Sequence, residues 1–481
     1  MGWFSAPEYW LGRLVLERGA AVVYLLAFVA AAAQFRALIG EHGLQPIPRF
    51  LAGQSFWRTP SLFHLRYSDR LFSAVSWFGA ALSAAIVVGA ADAVPLWAAM
   101  LMWLTLWVLY LSIVNVGQTW YAFGWESLLL ETGFLLIFLG NDQVAPPVLT
   151  LWMARLLLFR VEFGAGLIKM RGDPCWRDLT CLYYHHETQP MPGPLSWFFH
   201  HLPKPLHRIE VAGNHFAQLA VPFGLFAPQP VASIAAAIIV VTQLWLVVSG
   251  NFAWLNWVTI LLACSAIDDS SVSLVFGPHS HAALPGPPLW FAALVIAFAV
   301  AVLFMSYWPV RNMLSARQRM NMSFNSFHLV NTYGAFGSIG RVRREVVIEG
   351  TEDARLSDQT VWKEYEFKGK PGAVGRLPRQ WAPYHLRLDW LMWFAAISPG
   401  YAQPWLTPFL RRLLRNDRPT LRLLRHNPFP DSPPRYVRAQ LYEYRFTTPA
   451  ELRRERAWWH RTLIGGYVRP MTLPAATSQQ G

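Results

Sequence analysis

Long apolar runs separated by short polar connections dominate the first 310 residues of the chain. Runs able to cross ~30 Å of hydrocarbon fall at 19–39, 71–91, 95–114, 125–139, 147–168, 215–227, 231–249, 252–267 and 289–310. These nine runs predict a polytopic α-helical membrane bundle of about 8–10 helices, because the runs at 125–139 and 215–227 are short enough to be tilted, re-entrant or enclosed by their neighbours. The first run follows Glu8, Arg13, Glu17 and Arg18 and ends near VAAAAQF (29–35), a stretch of the kind signal peptidases cut. A signal peptide wants a positive lead and a shorter apolar core, so a retained helix is expected.

After Arg311 the pattern changes. REVVIEG (344–350), VWKEYEFKG (361–369) and RYVRAQLYEYRF (435–446) alternate apolar and polar residues, as half-buried strands do. TPFLRRLLRNDRPTLRLLRHN (407–427) repeats at helical spacing with arginines on its polar side. The expected organisation is a transmembrane domain at 1–310 carrying a long polar loop at 169–214, then a mainly β soluble domain at 311–481 with one or two helices. With nine helices, the loops at 40–70, 115–124, 169–214 and 250–251 share one face with the tail, and that face carries nearly all the polar detail.

Composition agrees with a membrane protein: 54% of the 481 residues are hydrophobic, 14% are charged and 24 are Trp. Charge divides the chain. Residues 1–310 hold 14 Lys and Arg against 15 Asp and Glu, a net of −1, whereas residues 311–481 hold 27 against 13, a net of +14, so all the excess positive charge belongs to the tail. The tail arginines are scattered among Trp, Pro and Tyr and match no nucleic-acid module, which points to membrane lipids or an acidic partner rather than nucleic acid. Arg36, Arg49, Arg58, Arg66 and Arg70 in the first loop would, by the positive-inside rule, lie in the cytoplasm.

Charges within membrane helices cost roughly 2.5–3.5 kcal/mol each on the insertion scale, so they are normally paired or functional. The runs at 125–139 and 147–168 form a hairpin turning at NDQVAPP (141–147) and contain Glu126, Glu131, Arg155, Arg160 and Glu162. With the turn centred near residue 143, Glu131 is level with Arg155 and Glu126 with Arg160, which predicts those two structural ion pairs. Helical phase sets a limit: five residues turn the helix by about 500°, so the two pairs cannot both face across the hairpin.

The densest polar segment is 159–216. Lys169 ends an apolar helix, where a snorkelling lysine is the plain reading and a base of lowered pKa the functional one. Cys175 and Cys181 would form one bridge if the loop faces an oxidising compartment. The spacing of Cys175, Cys181, His185 and His186 is not one of the usual zinc spacings, and neither a metal nor a cofactor is expected. G-x-S-x-G, Walker A, Rossmann and H-E-x-x-H motifs are absent from the sequence, which favours a non-enzymatic protein.

Several long phrases carry a resemblance: NVGQTWYAFGWESLLLETGFL (115–135), RVEFGAGLIKMRGDPCWRDLTCLYYHHETQPMPGPLSWFFHHLP (160–203), NSFHLVNTYGAFGSI (325–339), PYHLRLDWLMWFAA (383–396) and NPFPDSPPRYVRAQLYEYRFT (427–447). Together they resemble the lipase maturation factor family. The resemblance implies an integral membrane protein that assists folding or assembly of a secreted lipase or another exported client. It places the long loop and C-terminal domain on the lumenal or periplasmic side, against the positive-inside reading, and there a Cys175–Cys181 bridge becomes plausible. The membrane would be that of the endoplasmic reticulum in a eukaryote, and the inner membrane in a bacterium, to which the compact, Arg- and Ala-rich chain points. GAGLIKMRGDPCW (164–176) is also similar to the membrane region of vitamin K-dependent γ-carboxylase relatives. That narrower resemblance implies an alternative, a membrane enzyme acting on a lipid or quinone-like substrate with Lys169 as base beside His185 and His186.

Overall fold

The computed structural model describes residues 2–277 and 284–474. The chain opens with α1 (Trp10–Leu38), α2 (Asp69–Val87) and α3 (Leu96–Val116), followed by the hairpin of α4 (Gly124–Leu136) and α5 (Val148–Arg171). The polar loop then contributes α6 (Leu182–Thr188) and α7 (Lys204–Leu219). Next come α8 (Val231–Ser249), α9 (Leu255–Ala263), α10 (Asp269–Phe276) and α11 (Leu289–Met305). Among the described residues, five segments are long and apolar enough to cross a membrane, those containing α1, α2, α3, α8 and α11; the pair α9 and α10, bent by 108°, makes a sixth if counted as one span.

This is the expected helical bundle with fewer full spans than the nine apolar runs. Three of the runs account for the difference. Helix α4 has 13 residues, about 20 Å at 1.5 Å per residue, and most of its length is buried inside the bundle. The run at 215–227 is split between the end of α7 and a short turn at Val221–Gly224. Helix α5 is long enough at 24 residues, but Arg155, Arg160, Glu162 and Lys169 are all buried along it, so its polar groups must find partners in the protein.

Helix α1 is the axis of the bundle. Arg13, fully enclosed, donates to the Val144 carbonyl at 2.8 Å and pairs with Asp142, so the start of α1 is fastened to the turn of the α4–α5 hairpin. Halfway along, Tyr24 donates its hydroxyl to the Leu129 carbonyl at 3.1 Å. A side chain at Gly133 would collide with that same ring, and the absence of one lets α1 and α4 approach this closely.

The C-terminal part contains a four-stranded antiparallel sheet in the order β2-β1-β3-β4, made of β1 (Arg343–Thr351), β2 (Lys363–Glu364), β3 (Tyr436–Phe446) and β4 (Trp459–Met471). Strands β1 and β3 are those that alternation predicts. Only two residues of 361–369 join the sheet, and β4 is an addition. Helix α12 (Arg387–Ile397) packs on β1, and α13 (Leu406–Leu413) is followed by a short turn at Arg418–Leu421. The helical period read at 407–427 is interrupted where Asn416 takes φ 50° and Asp417 caps a new start at the Thr420 amide. The sheet is therefore small and is accompanied by a few helices.

The four predicted loops do meet the tail. Asn251 accepts from the amides of Trp381 and Ala382 at 2.7 and 2.9 Å, and Arg412 reaches the carbonyl of His42. Trp197 donates to the Thr447 carbonyl at 2.8 Å, and Arg387 donates to the Trp120 carbonyl at 2.7 Å.

Candidate functional site

The charges of the α4–α5 hairpin pair differently from the depth-matched expectation. Glu131 pairs with Arg160 rather than Arg155, and Glu126 pairs with Arg387 rather than Arg160. The connection between the helices, residues 137–147, is lopsided: the Glu131–Arg160 pair is centred between residues 145 and 146, not at 143. Phase then decides the rest, because only one of two residues spaced by five can face the partner helix. Arg155 turns away to donate to the Ser265 carbonyl at 3.0 and 2.9 Å, and it lies 5.0 Å from the Tyr9 ring centre.

Both glutamates are completed by residues far downstream. Glu131 Oε2 accepts from the Asn331 amide at 3.0 Å, the Asn331 side chain at 2.9 Å and the Tyr333 hydroxyl at 2.7 Å. Glu126 Oε1 accepts from Arg387 Nη1 at 2.6 Å, and its other oxygen accepts from Tyr110. His385 Nδ1 lies 3.3 Å from both Glu126 Oε1 and Trp125 Nε1. The Arg387 guanidinium sits 3.4 Å from the Tyr121 ring centre. Sequence reasoning found the acids and missed Asn331, Tyr333, His385 and Arg387, since no local pattern links residues some 200 positions apart.

Between α5, α7, α8, α9, the segment 320–338 and α12 lies a cavity of about 790 Å³. Its wall is mainly apolar, with Leu206, Trp245, Phe252 and Phe336 among its surfaces. One polar strip crosses it. Asn256 donates to Gln243 at 2.6 Å and Gln243 to Glu162 at 2.6 Å, while Lys169 donates to Gln218 at 2.7 Å. The Lys169 ammonium also lies 5.1 Å from the Trp176 ring centre. The shape suits an apolar chain with a polar end, and the strip offers both donors and acceptors to that end.

The polar loop closes one side of this cavity. Asp173 caps its first turn at the Cys175 amide, and Arg341 grips the same carboxylate at 2.8 and 3.1 Å, which holds the carboxyl below the usual range. Cys175 and Cys181 are joined by a disulfide, and Trp176 donates to the Phe336 carbonyl at 2.7 Å.

His185 and His186 follow in α6. His185 lies at the cavity wall near Phe252, and burial pushes its pKa down to about 3. His186 is held well below the usual histidine value, again by burial, and packs on Phe199 and His207. The two rings therefore do different things: only His185 shares the cavity with Lys169. Further along, Glu187 accepts from the Phe446 amide at 2.6 Å, and Arg343 donates to the carbonyls of Glu187 at 2.8 Å and Pro190 at 3.1 Å, so the loop and the sheet form one body.

Comparison with known proteins bears on the whole assembly. Residues 11–274 match the family model described as the lipase maturation factor transmembrane domain, and residues 329–469 match the lipase maturation factor C-terminal domain. Lipase maturation factor 1 of Homo sapiens is 42% identical, the alignment covering 97% of this chain and 88% of that protein. Lipase maturation factor 1 of Mus musculus is 39% identical over 97% of this chain and 88% of its own. Lipase maturation factor 2 of Homo sapiens is 29% identical over 96% of this chain and 83% of its own. No solved structure matches.

Proposed function

The chain belongs to the lipase maturation factor family, and on that premise we propose that it is a membrane-anchored factor assisting the folding or assembly of secreted lipases or other exported proteins. The observation that carries this reading is the continuity of the likeness, which runs through the bundle, the polar loop and the C-terminal part without a break of kind.

The membrane bundle, residues 1–310, serves as anchor, and the loop at 169–214 together with residues 311–481 presents the surface that meets the client. Interlocking of loop and sheet through Glu187, Arg343 and Trp197 supports treating them as one working face. That face lies in the periplasm of a bacterial cell or the lumen of the endoplasmic reticulum. The Cys175–Cys181 bridge supports this orientation, because disulfides persist in oxidising compartments. Lys169 needs no catalytic role here: its ammonium is held by Gln218 and lies over Trp176, inside the wall of the cavity.

Co-expression with a secreted lipase tests the reading. Lipase activity per unit of secreted lipase protein should rise when the chain is present; equal specific activity with and without it would overturn the proposal.

A further inference from the structure

We propose that His186 Nε2, His207 Nδ1 and Glu210 Oε2 bind one divalent metal ion of the zinc class, with a fourth coordination position left open. The three atoms converge. Glu210 Oε2 is 4.0 Å from His186 Nε2 and 3.9 Å from His207 Nδ1, and all three lie within 4.8 Å of one another. Zinc bonds of 2.0–2.1 Å in tetrahedral geometry hold ligand atoms roughly 3.3 Å apart. The observed spacing thus needs only side-chain adjustment, with no movement of a helix.

The chain builds the site from two elements. His207 and Glu210 are at i and i+3 on α7 and so share a face. His186 comes from α6, which packs against α7 and is fastened to β1 by the Arg343 contacts, in the loop segment that the Cys175–Cys181 bridge closes.

The hydrogen-bonding pattern points to a ligand independently of the distances. His186 is 2% exposed, yet neither of its ring nitrogens has a hydrogen-bond partner, and Nδ1 of His207 also lacks one. Buried polar atoms are normally partnered, so two neighbouring rings with free nitrogens require an explanation. The remaining atoms are already committed in the way that outer contacts orient metal ligands. His207 Nε2 faces the His200 carbonyl at 3.4 Å, which assigns the proton to Nε2 and leaves the Nδ1 lone pair free. Glu210 Oε1 accepts from Trp245 Nε1 at 2.7 Å, which turns Oε2 toward the histidines.

Two imidazoles and one carboxylate are a donor set that zinc accepts, and three protein ligands leave a position open. Glu210 also lines the cavity. The other cluster of ligating residues in the loop, Asp173 with Cys175 and Cys181, is ruled out because its sulfurs are joined in a disulfide and its carboxylate is held by Arg341.

The test uses the full chain purified in detergent without a histidine tag, incubated with zinc chloride or cobalt chloride and then desalted. About one equivalent of zinc per chain should remain by elemental analysis, and cobalt should give the intense visible absorption of a four-coordinate site. Glu210→Gln and His207→Phe should each weaken zinc retention by roughly tenfold or more, whereas His201→Phe, outside the triad, should not. Zinc should also raise the melting temperature of the unmutated chain, a readout that does not depend on how the variants fold. No retained zinc together with no thermal shift in the unmutated chain would overturn the proposal, as would Glu210→Gln retaining zinc like the parent.

Discussion

Arg387 Nη1 lies 2.6 Å from Glu126 Oε1, and both side chains are completely enclosed, one at the start of a bundle helix and the other in the C-terminal part. Removing one member of such a pair strands the other as a buried charge, which costs about 3–5 kcal/mol. Arg387→Met should therefore lower the melting temperature sharply and release the C-terminal part to proteolysis. Glu126→Gln combined with Arg387→Met should recover part of the loss, and a single variant that melts like the parent would remove the pair from the account of stability.

Glu131 anchors residues 331–333 through three hydrogen bonds at 2.7–3.0 Å. Bonds to a charged group contribute about 1.5–3 kcal/mol, so Glu131→Gln should increase amide hydrogen exchange in the segment around Asn331 and Tyr333. Arg155→Met should leave exchange there unchanged, because Arg155 is directed at Ser265 instead. Equal effects from the two substitutions would contradict the observed pairing.

Acid should destabilise the protein through His328 and His385, both pushed down to about 4, chiefly by burial. Each is neutral when folded and binds a proton near pH 6.5 when unfolded, so between those values the unfolded chain holds more protons and stability falls as pH falls. The slope is at most about 1.4 kcal/mol per pH unit for each ring. Thermal melts from pH 7 to pH 4.5 should show the loss, and His328→Asn should reduce its slope.

The Cys175–Cys181 bridge closes a short loop, and the chain-entropy estimate for a loop of that size is about 2 kcal/mol. Replacing both cysteines by serine should make residues 172–189 the first site of limited proteolysis while the chain remains in the membrane fraction. Retained resistance in this segment would show that Asp173, Arg341 and Trp176 suffice to hold it.

Elements defined by long local patterns were legible in the chain. The apolar spans announced themselves by length, and β1 and β3 by alternation. Strand β4 hid because WHRTLIGGYVRPM carries paired glycines and its register against β3 shifts twice beyond them, between Val437 and Gln440. The hairpin acids were recognisable as inward-facing, but depth matching could use only charges within the hairpin. Their real partners arrive from another part of the chain. The same holds for His186, which meets His207 and Glu210 only because the loop doubles back, so no spacing motif marks the three.

The distance along the chain between these partners has a consequence in time. Arg387 follows Glu126 by 261 positions, and Asn331 follows Glu131 by 200. At a synthesis rate of 5–20 residues per second, the first interval lasts on the order of 10–50 s. During that interval the hairpin carries an acid whose counter-charge has not yet been translated. A chain released before residue 387 is made would therefore hold Glu126 in the bundle without its counter-charge, a membrane segment translated but missing its latch.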